Sequence, residues 1–178
     1  MFVLYAIPIG IALGYLFGGR LERLGELRFE WGWLAVVGLL IQIVLFSGFV
    51  DAGLGRGVGE AVYVASTGAV LVAVWRNLSV PGLPLVAVGA ISNLAAIVAN
   101  EGIMPTTAEA LAAAGMEAEE GFSNSAVVAN PALAPLTDIF ALPQWVPLSN
   151  VFSIGDVLIG LGIVLVIALG MRGAARPV

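Results

Sequence analysis

Two aspartates carry the clearest chemical signal in this chain of 178 residues. Asp156 lies inside an apolar stretch, and Asp138 precedes it by 18 residues. A carboxylate at a membrane helix centre costs roughly 2.5–3.5 kcal/mol, and less near an interface, so Asp156 is a candidate functional group. Two adjacent carboxylates share a proton and can act as general acid and base. The alternative is that Asp156 caps the last helix, whose positive N-terminus favours a carboxylate.

Polar side chains are spaced so that several of them share a face with these groups. Asn93 and Asn100 are seven residues apart and therefore lie on one helix face, while Ser153 shares the face of Asp156. Asn150 directly precedes the last apolar stretch. These residues predict an outward-facing polar pocket around Asn100 and Asp156. The simpler alternative is that they only bond neighbouring helices, as most polar groups inside a membrane bundle do.

Composition excludes several kinds of chemistry and places the chain in a membrane. Neither cysteine nor histidine is present, which removes thiol catalysis, zinc sites and serine–histidine machinery, and no cofactor or metal is predicted. Charged residues make up 11% and hydrophobic residues 60%, whereas soluble domains carry about 25% charged residues. The net charge of −5 and the lack of a basic run argue against nucleic acid as a partner.

Five apolar stretches approach the length of about 20 residues that a helix needs to cross a bilayer. The predicted spans are 2–17, 31–50, 61–75, 81–99 and 151–171. The predicted fold class is therefore all-α, a polytopic transmembrane bundle that forms a single membrane domain over residues 1–178.

The arginines give this bundle an orientation. The loops after the first and third spans and the C-terminal tail all fall on one side, and they carry Arg20, Arg23, Arg28, Arg76, Arg172 and Arg176. The other side carries only Arg56, together with most of the acidic residues. Because cytoplasmic loops are enriched in arginine, we expect a protein of the cell membrane with its N-terminus outside and its C-terminus in the cytoplasm.

Residues 101–150 are expected to form an outer cap. The pattern Thr106-x-x-Glu109 predicts a capping box and a short amphipathic helix that Gly115 ends. The apolar stretch that follows is interrupted by Pro131, Pro135, Pro143 and Pro147, a density that excludes a transmembrane helix. Irregular backbone cannot face lipid, so this stretch should cover the bundle mouth, with Phe140, Trp145 and Val146 buried or at headgroup depth.

Two resemblances follow from the motifs. The stretch Asn150-Val-Phe-Ser-Ile-Gly-Asp156, together with Ala99-Asn-Glu-Gly-Ile-Met-Pro105, resembles an uncharacterised family of small bacterial multi-pass membrane proteins. The C-terminal stretch is also similar to the end of lipoprotein signal peptidase (signal peptidase II), in which an aspartate that opens the last span belongs to a catalytic dyad. That resemblance implies that Asp156 and Asp138 form the dyad here.

Three functions are compatible with these observations. The leading hypothesis is a bacterial inner-membrane protein, in contact with membrane lipid, whose polar pocket binds a lipid-like or peptidic ligand. The first alternative is a membrane-embedded aspartyl hydrolase that uses Asp138 and Asp156. The second is a structural subunit or assembly factor with a membrane protein as its partner.

Overall fold

The computed structural model describes residues 2–45, 56–116 and 125–173, which are mostly helical. The α-helices are α1 (Ala6–Leu16), α2 (Gly32–Leu45), α3 (Arg56–Arg76), α4 (Leu83–Ala99), α5 (Ala108–Ala114) and α6 (Ile154–Met171), and 3-10 turns occur at Phe2–Tyr5, Leu21–Glu26 and Ala134–Leu136. Within the described residues, Gly57–Arg76 and Ile154–Met171 are long and apolar enough to cross a membrane. The apolar segments Phe2–Leu16, Gly32–Leu45 and Leu83–Ala99 are shorter.

The helix boundaries differ from the predicted spans where local chemistry decides them. The helix in the fifth predicted span begins at Ile154 and not at 151, because Ser153 caps the helix and the two residues before it are extended. The helix in the third predicted span is longer than predicted and starts at Arg56. Gly82 has a φ of 98°, which is not helical, so α4 begins at the next residue, Leu83. Of the second span, residues 46–50 lie outside the described part of the chain.

The helices pack in the spatial order α1, α6, α4, α3 and α2, each against the next. Backbone contact between α4 and α6 is especially close, because glycines face each other at two levels. A Cβ built on Gly82 would overlap the Gly162 carbonyl oxygen, and one on Gly89 would overlap the Gly155 carbonyl oxygen. Small residues at such crossings let helix backbones approach each other, so polar side chains beside them come within reach of the opposite helix.

One end of this helix row collects arginine side chains. Arg23 donates a hydrogen bond of 2.8 Å to the Arg172 carbonyl, so the loop after α1 meets the end of α6. Arg76, at the end of α3, lies 4.3 Å from the centroid of the Trp31 ring. The opposite end carries the first turn of α6, the end of α4 and the cap. The separation of charges seen in the sequence is therefore also a separation in space.

Short strands in the cap and directly after it correct the prediction of an all-α fold. β1 (Met104–Thr106) pairs in parallel with β2 (Ser125–Val127), and β3 (Phe140–Ala141) pairs antiparallel with β4 (Val151–Phe152). The physical reason is that prolines exclude helix in this region, while buried amides still need partners, which a neighbouring extended segment supplies.

The cap differs from expectation at the start of α5. The N-cap of α5 is Thr107, whose side chain accepts from the Ala110 amide, and not Thr106, which belongs to β1. The helix ends at Gly115 with a φ of 67°, as predicted. The side chains of Trp145 and Phe140 are 84% and 41% exposed, so neither is buried within the protein, and their headgroup depth stays a prediction.

Candidate functional site

Asp156 forms a capping box at the start of α6. The Ser153 hydroxyl accepts a hydrogen bond of 3.0 Å from the Asp156 amide, and Asp156 Oδ2 accepts one of 3.0 Å from the Ser153 amide. Ser153 is completely buried. Two amides that the helix itself leaves unsatisfied thus find partners, which explains why α6 begins here. The predicted capping role of Asp156 is confirmed, and the carboxylate lies in the first helical turn, shallower than expected.

Asn93 joins this capping box to α4. Its Nδ2 donates a hydrogen bond of 2.9 Å to Asp156 Oδ1, and its Oδ1 accepts one of 2.8 Å from the Ser153 hydroxyl. The glycine contact makes this possible, since a Cβ on Gly155 would overlap Asn93 Oδ1. Asn93, Ser153 and Asp156 therefore form a closed polar triad between α4 and α6, in which Ser153 is an expected partner of Asp156 and Asn93 is not.

Asp138 lies in the cap and is buried, with 7% of its surface exposed. Its amide donates 2.9 Å to the Pro105 carbonyl, and its carbonyl accepts 2.9 Å from the Thr106 hydroxyl. These bonds attach the backbone of Asp138 to β1 and fix where the carboxylate can lie. A buried carboxylate is stable only where hydrogen bonds or charge compensation accompany it, so this position is a chemically demanding one.

Tyr63 connects Asp138 with the triad. This tyrosine of α3 is 9% exposed and belongs to a buried cluster with Ile97 and Met104. Its phenol lies within electrostatic range of both Asp138 and Asp156. The phenol of α3 therefore interacts electrostatically with a carboxylate of the cap and with a carboxylate of α6. We call Tyr63, Asp138 and the polar triad the outer site.

Sequence reasoning missed Tyr63, because a single tyrosine in an apolar span is usually a core residue. A signal was nonetheless present in the hydroxyl residues that follow it on α3. The Ser66 and Thr67 hydroxyls donate to the Tyr63 carbonyl at 2.9 and 2.8 Å, and both accept from Gln42 of α2. This part of α3 is therefore unusually polar for a helix that is long and apolar enough to cross a membrane.

Asn100 bonds to α4 and to the cap, while Asp156 bonds to the triad, and a ligand pocket around both residues stays a prediction. Asn100 Nδ2 donates to the Ala96 carbonyl at 2.7 Å and to the Ala132 carbonyl at 2.9 Å, and Asn100 Oδ1 accepts from the Ala132 amide at 2.8 Å. Asn100 is the C-cap residue of α4, so its side chain turns to the free carbonyls of the helix end and to the cap. Its role is to hold the cap on α4.

Asn150 also contributes to the cap. Its carbonyl accepts a hydrogen bond of 2.8 Å from the Leu142 amide, next to the pairing of β3 with β4. The Phe152 ring in β4 stacks between Phe2, at a centroid distance of 4.2 Å, and Phe140, at 5.6 Å. These contacts tie the cap to the N-terminal segment, so Asn150 positions the cap while Asn93, Ser153, Asp156 and Asp138 contribute to the site.

The outer site combines hydrogen-bond acceptors with a donor. Each Asp156 oxygen accepts one hydrogen bond within the triad, and a carboxylate oxygen has capacity for a second. The Tyr63 phenol can donate or accept. The arginine side chains near Met171 and Trp31 lie at the opposite end of the helix row. The site is therefore rich in hydrogen-bond acceptors and suits a ligand that offers N–H groups.

The chain belongs to the family of unknown function DUF5317. The match covers residues 26–168, which include every residue of the outer site, and it confirms the prediction of an uncharacterised family. No curated protein and no solved structure matches this member of DUF5317, so the comparisons do not extend to lipoprotein signal peptidase.

Proposed function

We propose that this DUF5317 member is an integral membrane protein of five spans, with its N-terminus outside and its C-terminus in the cytoplasm. The two long apolar helices and the three shorter ones support this proposal. So does the outward surface of α2, where Leu39, Leu40 and Ile43 are 51%, 54% and 64% exposed. Apolar side chains that point away from the protein in such number suit contact with lipid. The arginine-rich end then lies in the cytoplasm, and the outer site faces the other side.

Within this protein, the outer site binds a peptidic or lipid-like ligand that contains an amide. The electrostatic interaction of the buried Tyr63 phenol with Asp138 and Asp156, beside the polar triad, is the observation that supports this function. An amide offers an N–H donor beside a C=O acceptor. The carboxylates complement the N–H, and the phenol complements the C=O. Hydrogen bonds to charged groups contribute roughly 1.5–3 kcal/mol, so each such contact affects affinity strongly.

Peptide binding to the purified protein tests this function. The probe is a fluorescent, N-acetylated and C-amidated apolar peptide, and its binding to protein in lipid nanodiscs is followed by anisotropy. Asp138→Asn should weaken binding about tenfold or more, because it removes a charged acceptor. The exposed carboxylate of Glu109 in α5 provides the control, and Glu109→Gln should leave affinity unchanged.

A set of ester peptides makes this test specific for amide recognition. Each carries one ester bond in place of one amide, so each loses a single N–H donor and keeps the shape of the parent peptide. Wild-type protein should bind at least one ester variant about tenfold more weakly than the parent peptide. Equal affinity for the amide and every ester peptide, with Asp138→Asn also unchanged, would contradict the proposed ligand.

The electrostatic interaction of Tyr63 with two aspartates favours one further candidate, an aspartyl hydrolase that resembles signal peptidase II. One carboxylate, in its charged form, takes a proton from water as the water attacks the scissile carbonyl. The other, in its neutral form, gives its proton to the leaving amine, and the two carboxyls together end with the one proton they began with. In this mechanism Tyr63 donates a hydrogen bond to the oxygen of the tetrahedral intermediate.

Incubation of the parent peptide followed by mass spectrometry separates a binder from a hydrolase. A hydrolase yields two fragments whose masses sum to the peptide plus one water, and Asp138→Asn and Asp156→Asn should each slow cleavage by about 100-fold or more. Ser153→Ala is the structural control, since it weakens the capping box and keeps both carboxylates. Binding without fragments identifies the protein as a binder.

A further inference from the structure

A groove opens between α3 and α4 at the outer end of the helix row, separate from the outer site. Its volume is about 670 Å³, within the range of roughly 300–1,000 Å³ typical of small-molecule sites. Its walls come from α3 and from the last turn of α4 with the residues that follow it. We call it the α3–α4 groove.

The floor of the α3–α4 groove is made of small side chains. Gly57, Ala61 and Ala65 line it and follow one another at intervals of four on α3, so they form one stripe. Val64 and Val98 add apolar wall, and the Val98 side chain is 58% exposed. From Gly57 to Ala65 the stripe covers about 12 Å of helix. The groove is thus apolar along its length and open to its surroundings.

Two carboxylates stand at the mouth of the groove. Glu60 lies on α3 and Glu101 follows the end of α4, and both belong to the lining. Glu101 and Gly102 have φ values of 59° and 87°, which turn the chain sharply against α3. Gly102 touches Glu60, since a Cβ there would lie 2.6 Å from Glu60 Cβ. The turn therefore places the two acidic residues on one small rim above an apolar trough.

We propose that the α3–α4 groove binds a phospholipid whose headgroup ends in a primary ammonium, a phosphatidylethanolamine. The inference rests on the membrane placement in the proposed function. Charge complementarity selects this occupant, because an ammonium offers three N–H donors to the carboxylates of Glu60 and Glu101. One acyl chain then lies along the inner part of the groove, past Ala61 and Ala65, where it covers the exposed apolar wall.

The shape of the groove favours a lipid over a transmembrane helix of a partner protein. Small residues at intervals of four also suit helix packing, but an apolar helix offers no free N–H donors to the carboxylates of Glu60 and Glu101. The groove covers only the outer turns of α3, which ends at Arg76. A lipid has the matching form, with its charge at the interface and its chain reaching only into the adjacent leaflet.

Native mass spectrometry of the detergent-purified full chain tests this inference. The protein is incubated with an equimolar mixture of phosphatidylethanolamine, phosphatidylcholine and phosphatidylglycerol of identical acyl chains, and the bound lipids are counted. Wild type should retain the ethanolamine lipid in preference to both others. Glu60→Gln with Glu101→Gln should reduce this preference about fivefold or more, as expected for about 1 kcal/mol of ion pairing at a surface. Glu109→Gln, which removes an equal charge outside the groove, should keep it.

A substitution that fills the α3–α4 groove provides an independent test of lipid binding. Ala65→Leu should lower retention of the ethanolamine lipid, whereas Ala12→Leu, on an exposed face of α1, should not. Equal retention of the three lipids by wild type, or preference unchanged by both groove variants, overturns the inference. A defined partner helix that crosslinks along α3 and excludes lipid also overturns it. Release of the protein from membranes by carbonate, in contrast, would reject the membrane placement itself.

Discussion

Adding one methyl group at Gly155 should disconnect the outer site from α4. The Cβ of Gly155→Ala would overlap Asn93 Oδ1 and would lie 2.8 Å from the Gly89 carbonyl oxygen. The backbone cannot yield easily at this point, so Asn93 has to move and its hydrogen bonds to Asp156 and Ser153 are lost. The variant therefore tests whether the close approach of α4 and α6 holds the site together.

The expected loss of stability follows from two effects. Overpacking typically costs about 1–3 kcal/mol, and a hydrogen bond to a charged group contributes about 1.5–3 kcal/mol. The two effects share Asn93 and are not additive, so we expect a total of about 3 kcal/mol. For a chain of this size, 1 kcal/mol corresponds to about 2–4 °C in Tm, and Gly155→Ala should lower Tm by about 6–12 °C.

Thermal unfolding in detergent, followed by intrinsic tryptophan fluorescence, measures this change. Gly160→Ala is a matched control on the same helix, because its Cβ would meet Phe2 Cε1 at an ordinary 3.5 Å. Replacing a helical glycine by alanine contributes about 0.5–1 kcal/mol where space exists, so the control should melt at the same or a higher temperature. Equal Tm values for Gly155→Ala and Gly160→Ala would refute the close contact, and with it the account of how Asn93 reaches Asp156.

Substitutions at three further positions test the cap, the start of α6 and the arginine-rich end of the helix row. Asn100→Ala should remove the side-chain bonds that hold the cap and speed proteinase K cleavage within residues 129–148, while unchanged digestion would show that other contacts suffice. Ser153→Ala should lower stability by about 1 kcal/mol, or Tm by about 2–4 °C, and Ser153→Thr should restore most of it; equal Tm for both would contradict the capping role. Asn77→Ala should cost about 2 kcal/mol because it breaks bonds to the Glu30 amide and carbonyl, a loss that chemical unfolding would detect.

Hydrophobic length predicted where helices occur, because burial of apolar side chains dominates over every local preference in such segments. The ends of the helices depended on finer chemistry. α6 begins at Ile154 because the side chains of Ser153 and Asp156 satisfy each other's amides. Both residues are visible in the sequence, but hydrophobic length alone predicts a helix that begins at 151. Either of two consecutive threonines could be the N-cap residue of α5. Thr106 pairs with β2 as part of β1, so the N-cap residue is Thr107.

The site itself was only partly predictable, because helix spacing relates residues within one helix and not between helices. Ser153 and Asp156 share a first turn, so their contact follows from the sequence. Asn100 was the expected partner of Asp156 on α4, whereas the observed partner is Asn93, which the close contact of Gly89 with Gly155 brings within reach. The approach of Tyr63 to Asp138 depends on how the cap folds back over α3, which no local pattern in the sequence specifies.

Every functional proposal here requires that the outer site face away from the cytoplasm, and cysteine accessibility measures this directly. The chain contains no cysteine, so a single introduced thiol reports its own position. Glu109→Cys in the cap should react with a membrane-impermeant maleimide in intact cells, and Arg23→Cys at the arginine-rich end should react only after the membrane is permeabilised. Labelling of Arg23→Cys but not of Glu109→Cys in intact cells would reverse the orientation, and labelling of both would contradict a single five-span topology.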